Sequence, residues 1–136
     1  MDFSIPDEYQ ELVATFRSFL DRQVRPVEDQ YRTLLQEDEL TPEMKDAGLA
    51  LRRASTQAEF YAAHMPESVG GSGLSNLGYT LLVEEGGKSG LRFASFVLGP
   101  PNPEAPTPIL MELPQHLHAK YIEPLVCGLR RPCASR

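Results

Sequence analysis

Two adjacent carboxylates, Glu84 and Glu85, are the first candidates for acid–base chemistry in this chain. A general base needs a tuned pKa and a position within reach of the proton that it removes. Adjacent acids near the end of a helix more often form a solvated face. The sequence therefore favours a surface role for this pair over a catalytic one.

Four side chains near the C-terminus could in principle bind a metal: His116, His118, Cys127 and Cys133. The two histidines are two positions apart on a predicted helix and so point to different faces. Their spacing to the cysteines does not match a zinc motif. A disulfide between the cysteines would close only a tiny loop and stabilise little. We predict reduced thiols and no metal site.

A glycine-rich stretch contains Gly70, Gly71 and Gly73, residue types that can let a backbone approach a phosphate. A nucleotide-binding loop, however, needs the Gly-x-Gly-x-x-Gly pattern after a strand, and no strand is predicted before these glycines. The same residues suit any tight connection between helices. We predict a loop over residues 64–75, with His64 as an ordinary loop residue.

Composition excludes several classes of function. The 19 acidic and 13 basic residues give a net charge of −6, which opposes nucleic-acid binding because that affinity comes from lysine and arginine contacts to phosphates. No apolar run approaches the roughly 20 residues that span a bilayer, and the N-terminus lacks a targeting pattern. We expect one domain without membrane insertion, cytoplasmic if the source is bacterial.

The elements that must position these residues are helices. After Asp7, apolar residues recur every three or four positions, which predicts an amphipathic helix. Pro26 lacks an amide donor and predicts a break or kink near Arg25, followed by a second helix that continues through Tyr31 to about Leu35. Thr41 is the predicted cap of a third helix that reaches about Ala58, with Gly48 as a weak point in its interior.

Ser75 is the predicted cap of a fourth helix, which should end at the glycines of positions 86, 87 and 90. Residues 91–98 are predicted as helix, and residues 99–108, with five prolines, as an extended connection. A short helix is expected from Pro108 and a last one from Pro114 to about Val126, with Gly128 as its stop. The absence of alternating patterns indicates an all-α fold of about five to six helices.

Several motifs in this order resemble the N-terminal helical domain of the acyl-CoA dehydrogenase family. The family commonly has Pro-Glu, a glycine pair and Gly-Leu-Ser before a leucine-rich helix that ends in Glu-Glu. The matching residues here are Pro66, Glu67, Gly70, Gly71, Gly73, Leu74, Ser75, Leu81, Leu82, Glu84 and Glu85. Weaker matches are Asp2-Phe3, Thr107-Pro108, Lys120-Tyr121, Glu123-Pro124-Leu125 and Gly128.

The resemblance implies an up-and-down helical bundle over residues 1–128 and a truncated tail over residues 129–136. It implies a FAD enzyme that desaturates an acyl-CoA between its α and β carbons and passes electrons to an acceptor. In that family the catalytic glutamate and most of the FAD site belong to later domains. We therefore expect this chain alone to have no catalytic or cofactor-binding residue, no bound FAD and no activity.

The family's N-terminal domain contributes one wall of the acyl-chain pocket, from the helix that follows the Glu-Glu landmark. Counting onward, the resemblance implies that Ala94, Ser95, Leu98 and Gly99 lie nearest that wall. An apolar wall suits an acyl chain, which gains about 0.8 kcal/mol for each methylene that leaves water. Ordinary core packing is the alternative reading of each residue.

A second hypothesis is a stand-alone, non-catalytic helical module. Such a module would keep the fold and lose the chemistry, and would bind a partner protein or a second copy through the face that the missing domains leave uncovered.

Overall fold

The computed structural model describes residues 4–36, 39–99 and 106–128. Within these residues the chain forms helices and no strand, so the predicted all-α fold is confirmed. The α-helices of the described residues are α1 (Asp7–Phe19), α2 (Arg25–Gln30), α3 (Pro42–Gln57), α4 (Asn76–Lys88), α5 (Ala94–Val97) and α6 (Glu123–Val126). Helix α1 packs against α4, and α3 packs against α5.

Of the break or kink that we predicted near Arg25, the break does not occur. The chain stays helical from α1 into α2 through a π-helical turn, Leu20–Val24, in which the Arg25 amide donates to the Leu20 carbonyl five residues earlier. Proline disturbs a regular helix because it has no amide proton and its ring meets the carbonyl four residues back. The wider π turn directly before Pro26 accommodates that ring without ending the helix.

The last predicted helix, residues 114–126, is also divided differently from the prediction. It consists of a 3₁₀ turn, Gln115–Leu117, a π turn, His118–Ile122, and then α6. Pro124 occupies the same place in α6 that Pro26 occupies in α2, so one proline rule explains both π turns. Gly128 follows with a φ of 66°, which confirms it as the stop.

Both predicted helix caps are confirmed. The Thr41 hydroxyl accepts from the Met44 amide at 3.3 Å, and the Ser75 hydroxyl accepts from the Gly78 amide at 3.1 Å. Helix α3 continues through Gly48 because the Phe96 ring occupies the space beside that glycine, where a Cβ would lie 2.5 Å from the ring. The missing side chain thus serves helix packing.

Four predictions about helix bounds are corrected by the structure. Helix α4 contains Gly86 and Gly87 and ends at Lys88, and of the three glycines only Gly90 has positive φ, at 66°. The second helix, expected to reach about Leu35, ends at Gln30 and is followed by a turn and a 3₁₀ turn, Leu34–Gln36. The helix expected over residues 91–98 is confined to α5, and the 3₁₀ turn Pro108–Glu112 replaces the short helix.

Two apolar clusters form the interior of the part of the chain that the structure describes. The larger one joins α1, α3, α4 and α5 and includes the edge-to-face pair of Phe16 and Phe60, whose ring centroids are 4.9 Å apart. The smaller one joins the glycine-rich loop to the C-terminal turns through Met65, Val69 and Val126. Among the described residues, none of the helices is long and apolar enough to cross a membrane.

Candidate functional site

The four predicted wall residues lie together at α5 and directly after it. Ala94 and Leu98 are buried members of the larger core cluster, and Gly99 is buried as well. Ser95 is exposed, and its hydroxyl donates to the Arg92 carbonyl at 2.9 Å. The structure therefore brings the four residues into one segment, of which Ser95 presents its side chain to the surface and the other three form the backing. We call residues 92–99 the wall segment.

Gly99 lies where three groups converge. A Cβ at this position would be 2.8 Å from the Tyr61 carbonyl oxygen, 3.1 Å from His64 Cε1 and 3.2 Å from the Tyr79 hydroxyl oxygen. Any larger residue would have to displace backbone as well as side chains. The end of the wall segment is thus held by close packing against the start of the loop and against α4.

His64 and Tyr79 form an aromatic pair beside Gly99. Their ring centroids are 4.5 Å apart, and His64 Nε2 lies 3.0 Å from the Pro106 carbonyl oxygen, to which it must donate because a carbonyl only accepts. Burial lowers the pKa of His64, and the bond to Pro106 opposes that effect. Burial also raises the pKa of Tyr79, while a hydrogen bond with the Gly99 backbone opposes the rise. Both side chains are therefore neutral near pH 7.

The start of the wall segment is bound by a carboxylate from α2. Glu28 Oε1 accepts from the Arg92 amide and Glu28 Oε2 from the Phe93 amide, each at 3.0 Å. At the other end of α5, the buried Ser55 hydroxyl of α3 donates to the Val97 carbonyl at 2.5 Å. Two different helices thus fix the two ends of α5.

We did not predict Glu28, Ser55 or Tyr79 as part of this region, and we predicted His64 as an ordinary loop residue. Ser55 lies 42 positions from Val97, whose carbonyl it contacts, and Glu28 lies 65 positions from Phe93, whose amide it contacts. Periodicity and local motifs report on neighbours within a few residues. The pairings depend on the tertiary fold, so no signal of the single sequence could reveal them.

The glycine-rich loop folds onto its own backbone. A Cβ on Gly71 would clash with the Met65 carbonyl oxygen, and the amides of Gly73 and Leu74 donate to the carbonyls of Met65 and Ala63 at 2.9 and 2.7 Å. The missing side chain at Gly71 makes room for the chain itself. Ser75 already caps the adjacent α4. The described residues of this loop consequently do not fit a phosphate or flavin cradle.

Glu85 faces α1 and makes a bidentate ion pair with Arg17, at 2.6 Å from Nε and 3.1 Å from the terminal nitrogen. The hydrogen bond from Arg17 lowers the pKa of Glu85 below its usual value. A general base at neutral pH needs the opposite change. Glu84 is exposed and pairs with Lys88 at 2.6 Å, one helical turn later. Both acids line a cleft of about 330 Å³ between α1 and α4.

The two histidines of the C-terminal segment are separated by their environments. His116 is exposed, whereas the half-buried His118 lies with Nε2 2.7 Å from the Leu113 carbonyl oxygen. Cys127 is exposed and carries a free thiol, and Cys133 lies outside the described residues, as does the predicted tail. In residues 4–36, 39–99 and 106–128, no group of three or more potential ligands is close enough to hold a metal.

The helical elements and their packing define an all-α domain in which the wall segment lies against the core. The family model described as "Acyl-CoA dehydrogenase, N-terminal domain" matches residues 6–128. The chain belongs to this family. The comparisons found neither a curated protein nor a solved structure that matches the chain.

Proposed function

We propose that this chain serves as the N-terminal domain of a FAD-dependent acyl-CoA dehydrogenase and supplies part of the acyl-chain pocket. The observation that carries the proposal is the family match over residues 6–128. In this role the domain binds and orients one face of an acyl-CoA thioester, while an electron acceptor removes the electrons after the reaction. The reaction itself takes place on other parts of the enzyme.

The wall segment supports this role through its packing. Ala94 and Leu98 belong to the rigid core, so the surface that they back does not collapse when water leaves it. Ser95 is the exposed position, with a small side chain that leaves room for an acyl chain.

The chemistry would come from outside the described residues. Glu85 is held as an anion by Arg17, and the pKa shift is opposite to that of a base that works near pH 7. The glycine-rich loop uses its glycines for internal contacts and does not fit a flavin. We infer that FAD and the base belong to the remaining domains and that this chain alone is inactive and colourless.

Reassembly of the enzyme from separate parts tests the proposal. The chain is to be purified alone and then combined with the flavin-binding and C-terminal domains of an acyl-CoA dehydrogenase. We expect no flavin absorbance from the chain alone, and flavin absorbance that acyl-CoA bleaches in the combination. Flavin bound by the chain alone, or a combination that acyl-CoA does not bleach, would contradict the proposal.

A substitution at the wall localises the substrate contact. Ser95→Phe adds an aromatic ring at the exposed position and should raise the KM for long acyl chains more than for short ones, because it narrows the pocket. Thr80→Phe is the matched control, since Thr80 is exposed on α4 and its hydroxyl contacts only the Asn76 carbonyl of its own helix in the described structure. Equal effects of both variants would exclude the wall segment from the pocket.

The alternative function is a non-catalytic interaction module, and the observation that favours it is exposed apolar surface near the C-terminus. Ile109 is 74% exposed and Tyr121 is 46% exposed. Such side chains favour contact with another protein or with a second copy of the chain. Light scattering at increasing concentration tests this alternative: a mass that stays monomeric and is the same for Ile109→Ser argues against self-association.

A further inference from the structure

Helix α5 has only four residues, Ala94–Val97, and cannot determine its own position. A single turn fixes several dihedral angles for very few hydrogen bonds, so isolated short helices do not form in water. The placement of the wall segment must therefore come from contacts with other elements. Those contacts differ in kind at the two ends of α5.

At its end, α5 is held by packing and a neutral hydrogen bond from α3. The Ser55 hydroxyl donates to the Val97 carbonyl, and the Phe96 ring lies in the space that Gly48 leaves open. These contacts are in the core, where neighbours have little room to move. This end is a fixed point for the segment.

At its start, the segment is held by a charged side chain. Both carboxylate oxygens of Glu28 accept backbone amides, those of Arg92 and Phe93. The Arg92 side chain donates to the Leu35 carbonyl at 2.8 Å, and the Phe93 ring lies 5.9 Å from that of Tyr31. Hydrogen bonds to an ionised acceptor are about twice as strong as neutral ones. The Glu28 carboxylate thus supplies two charge-assisted hydrogen bonds to the backbone at this end.

We propose that Glu28 is a positioning residue that sets the orientation of α5 and, through it, the acyl-chain selectivity of the wall. It acts through the Arg92 and Phe93 amides and does not itself touch the substrate. Loss of one oxygen contact lets the start of α5 move while Ser55 keeps its end in place. The inference about selectivity depends on the proposed function, whereas the contact between Glu28 and α5 does not.

Amide hydrogen exchange on the full chain tests the contact. Glu28→Gln keeps the shape of the side chain but retains one acceptor oxygen without charge. We expect exchange at the Arg92 and Phe93 amides to be faster by about tenfold, as loss of a charge-assisted hydrogen bond implies. Glu84→Gln, at an exposed acid of α4, is the control and should leave both amides unchanged. Unchanged exchange in Glu28→Gln would overturn the contact.

The reassembled enzyme tests selectivity. With acyl-CoA substrates of two chain lengths, Glu28→Gln should change the ratio of their KM values and leave kcat at saturation close to that of the parent. A uniform loss of kcat for both substrates, or an unchanged KM ratio, would overturn the positioning role. If the parent assembly does not react with acyl-CoA, the proposed function is wrong, and the exchange measurement alone then decides whether Glu28 holds α5.

Discussion

The glycine-rich loop and the wall segment are held in place by different kinds of contact. The loop is held by its own backbone, as in the bonds from the Gly73 amide to Met65 and from the Leu74 amide to Ala63. The wall segment is held by side chains from distant helices, Glu28 at its start and Ser55 near its end. The loop therefore carries its structure in its local sequence, while the structure of the wall segment depends on the rest of the domain.

This difference explains why the loop carries a motif that resembles the family, whereas the wall segment carries no motif of its own. A self-contained loop needs particular glycines at particular places, and these make a recognisable motif. A segment that is positioned from outside can vary in its own residues, because α2 and α3 supply the contacts. Substitutions that destabilise one region and leave the other unchanged test whether the two are held in place in these different ways.

The largest effect is expected for Gly71→Ala. The added Cβ would clash with the Met65 carbonyl oxygen. This is a backbone atom, so the clash cannot be relieved by rotation of a side chain. We expect a loss of about 3 kcal/mol or more in the free energy of unfolding, with the loop and the smaller core cluster most affected. Urea unfolding of the purified variant measures the loss.

Gly87→Ala is the matched control for this substitution. Gly87 lies exposed within α4, and apart from its chain neighbours and the nearby helix backbone, no described atom would lie within 4 Å of a new Cβ. Alanine has a higher helix propensity, so the variant should be neutral or more stable by about 0.5 to 1 kcal/mol. Equal losses in the two variants would show that the close contact at Gly71 does not determine the stability of the loop.

Gly48→Ala should have an intermediate effect and act on the wall segment. Its Cβ would lie 2.5 to 2.8 Å from three atoms of the Phe96 ring, so the ring and α5 must shift away from α3. Overpacking of this kind costs about 1 to 3 kcal/mol, and the gain in helix propensity offsets part of it. Urea unfolding gives the cost. An increase in stability would show that α5 shifts without cost and that its contacts with α3 do not fix its position.

Much of the fold could be predicted from sequence because its signals are local. The caps at Thr41 and Ser75 and the stop at Gly128 follow from residue type and position alone. Pro26 left a break or a kink open, because an interruption and a π turn both accommodate a missing amide donor and only packing decides between them. Gly86 and Gly87 likewise indicate a helix end by propensity, yet α4 continues through both.

The candidate site could be predicted only in part. Its four wall residues were chosen by resemblance to the family, and their contact with an acyl chain stays a prediction. Its anchors could not be found, because Glu28 and Ser55 are ordinary polar residues in their own helices. What distinguishes them is the backbone group with which each one forms a hydrogen bond, and that pairing depends on the tertiary structure.

The smallest effect is expected for the titration of His64, the residue that joins the two regions. Its Nε2 donates to the Pro106 carbonyl, and its buried Nδ1 has no hydrogen-bond partner within the described residues. Protonation would place a charge at Nδ1, and burial therefore lowers the pKa of His64 in the folded state. The unfolded chain, with a histidine pKa near 6.5, then binds more protons than the folded one as the pH falls.

The stability that depends on neutral His64 is thus fully present above about pH 6.5 and is lost as the pH falls through the lower pKa of the folded state. Urea unfolding at about pH 7.5 and about pH 5.5 measures the loss, in a range above the titration of most carboxylates. His64→Gln can still donate to Pro106 but cannot titrate, so its stability should depend less on pH than that of the parent. His116→Gln, at an exposed histidine, should retain the parent's dependence. If both variants keep that dependence, the contact between the loop and the wall segment is not sensitive to protonation of His64.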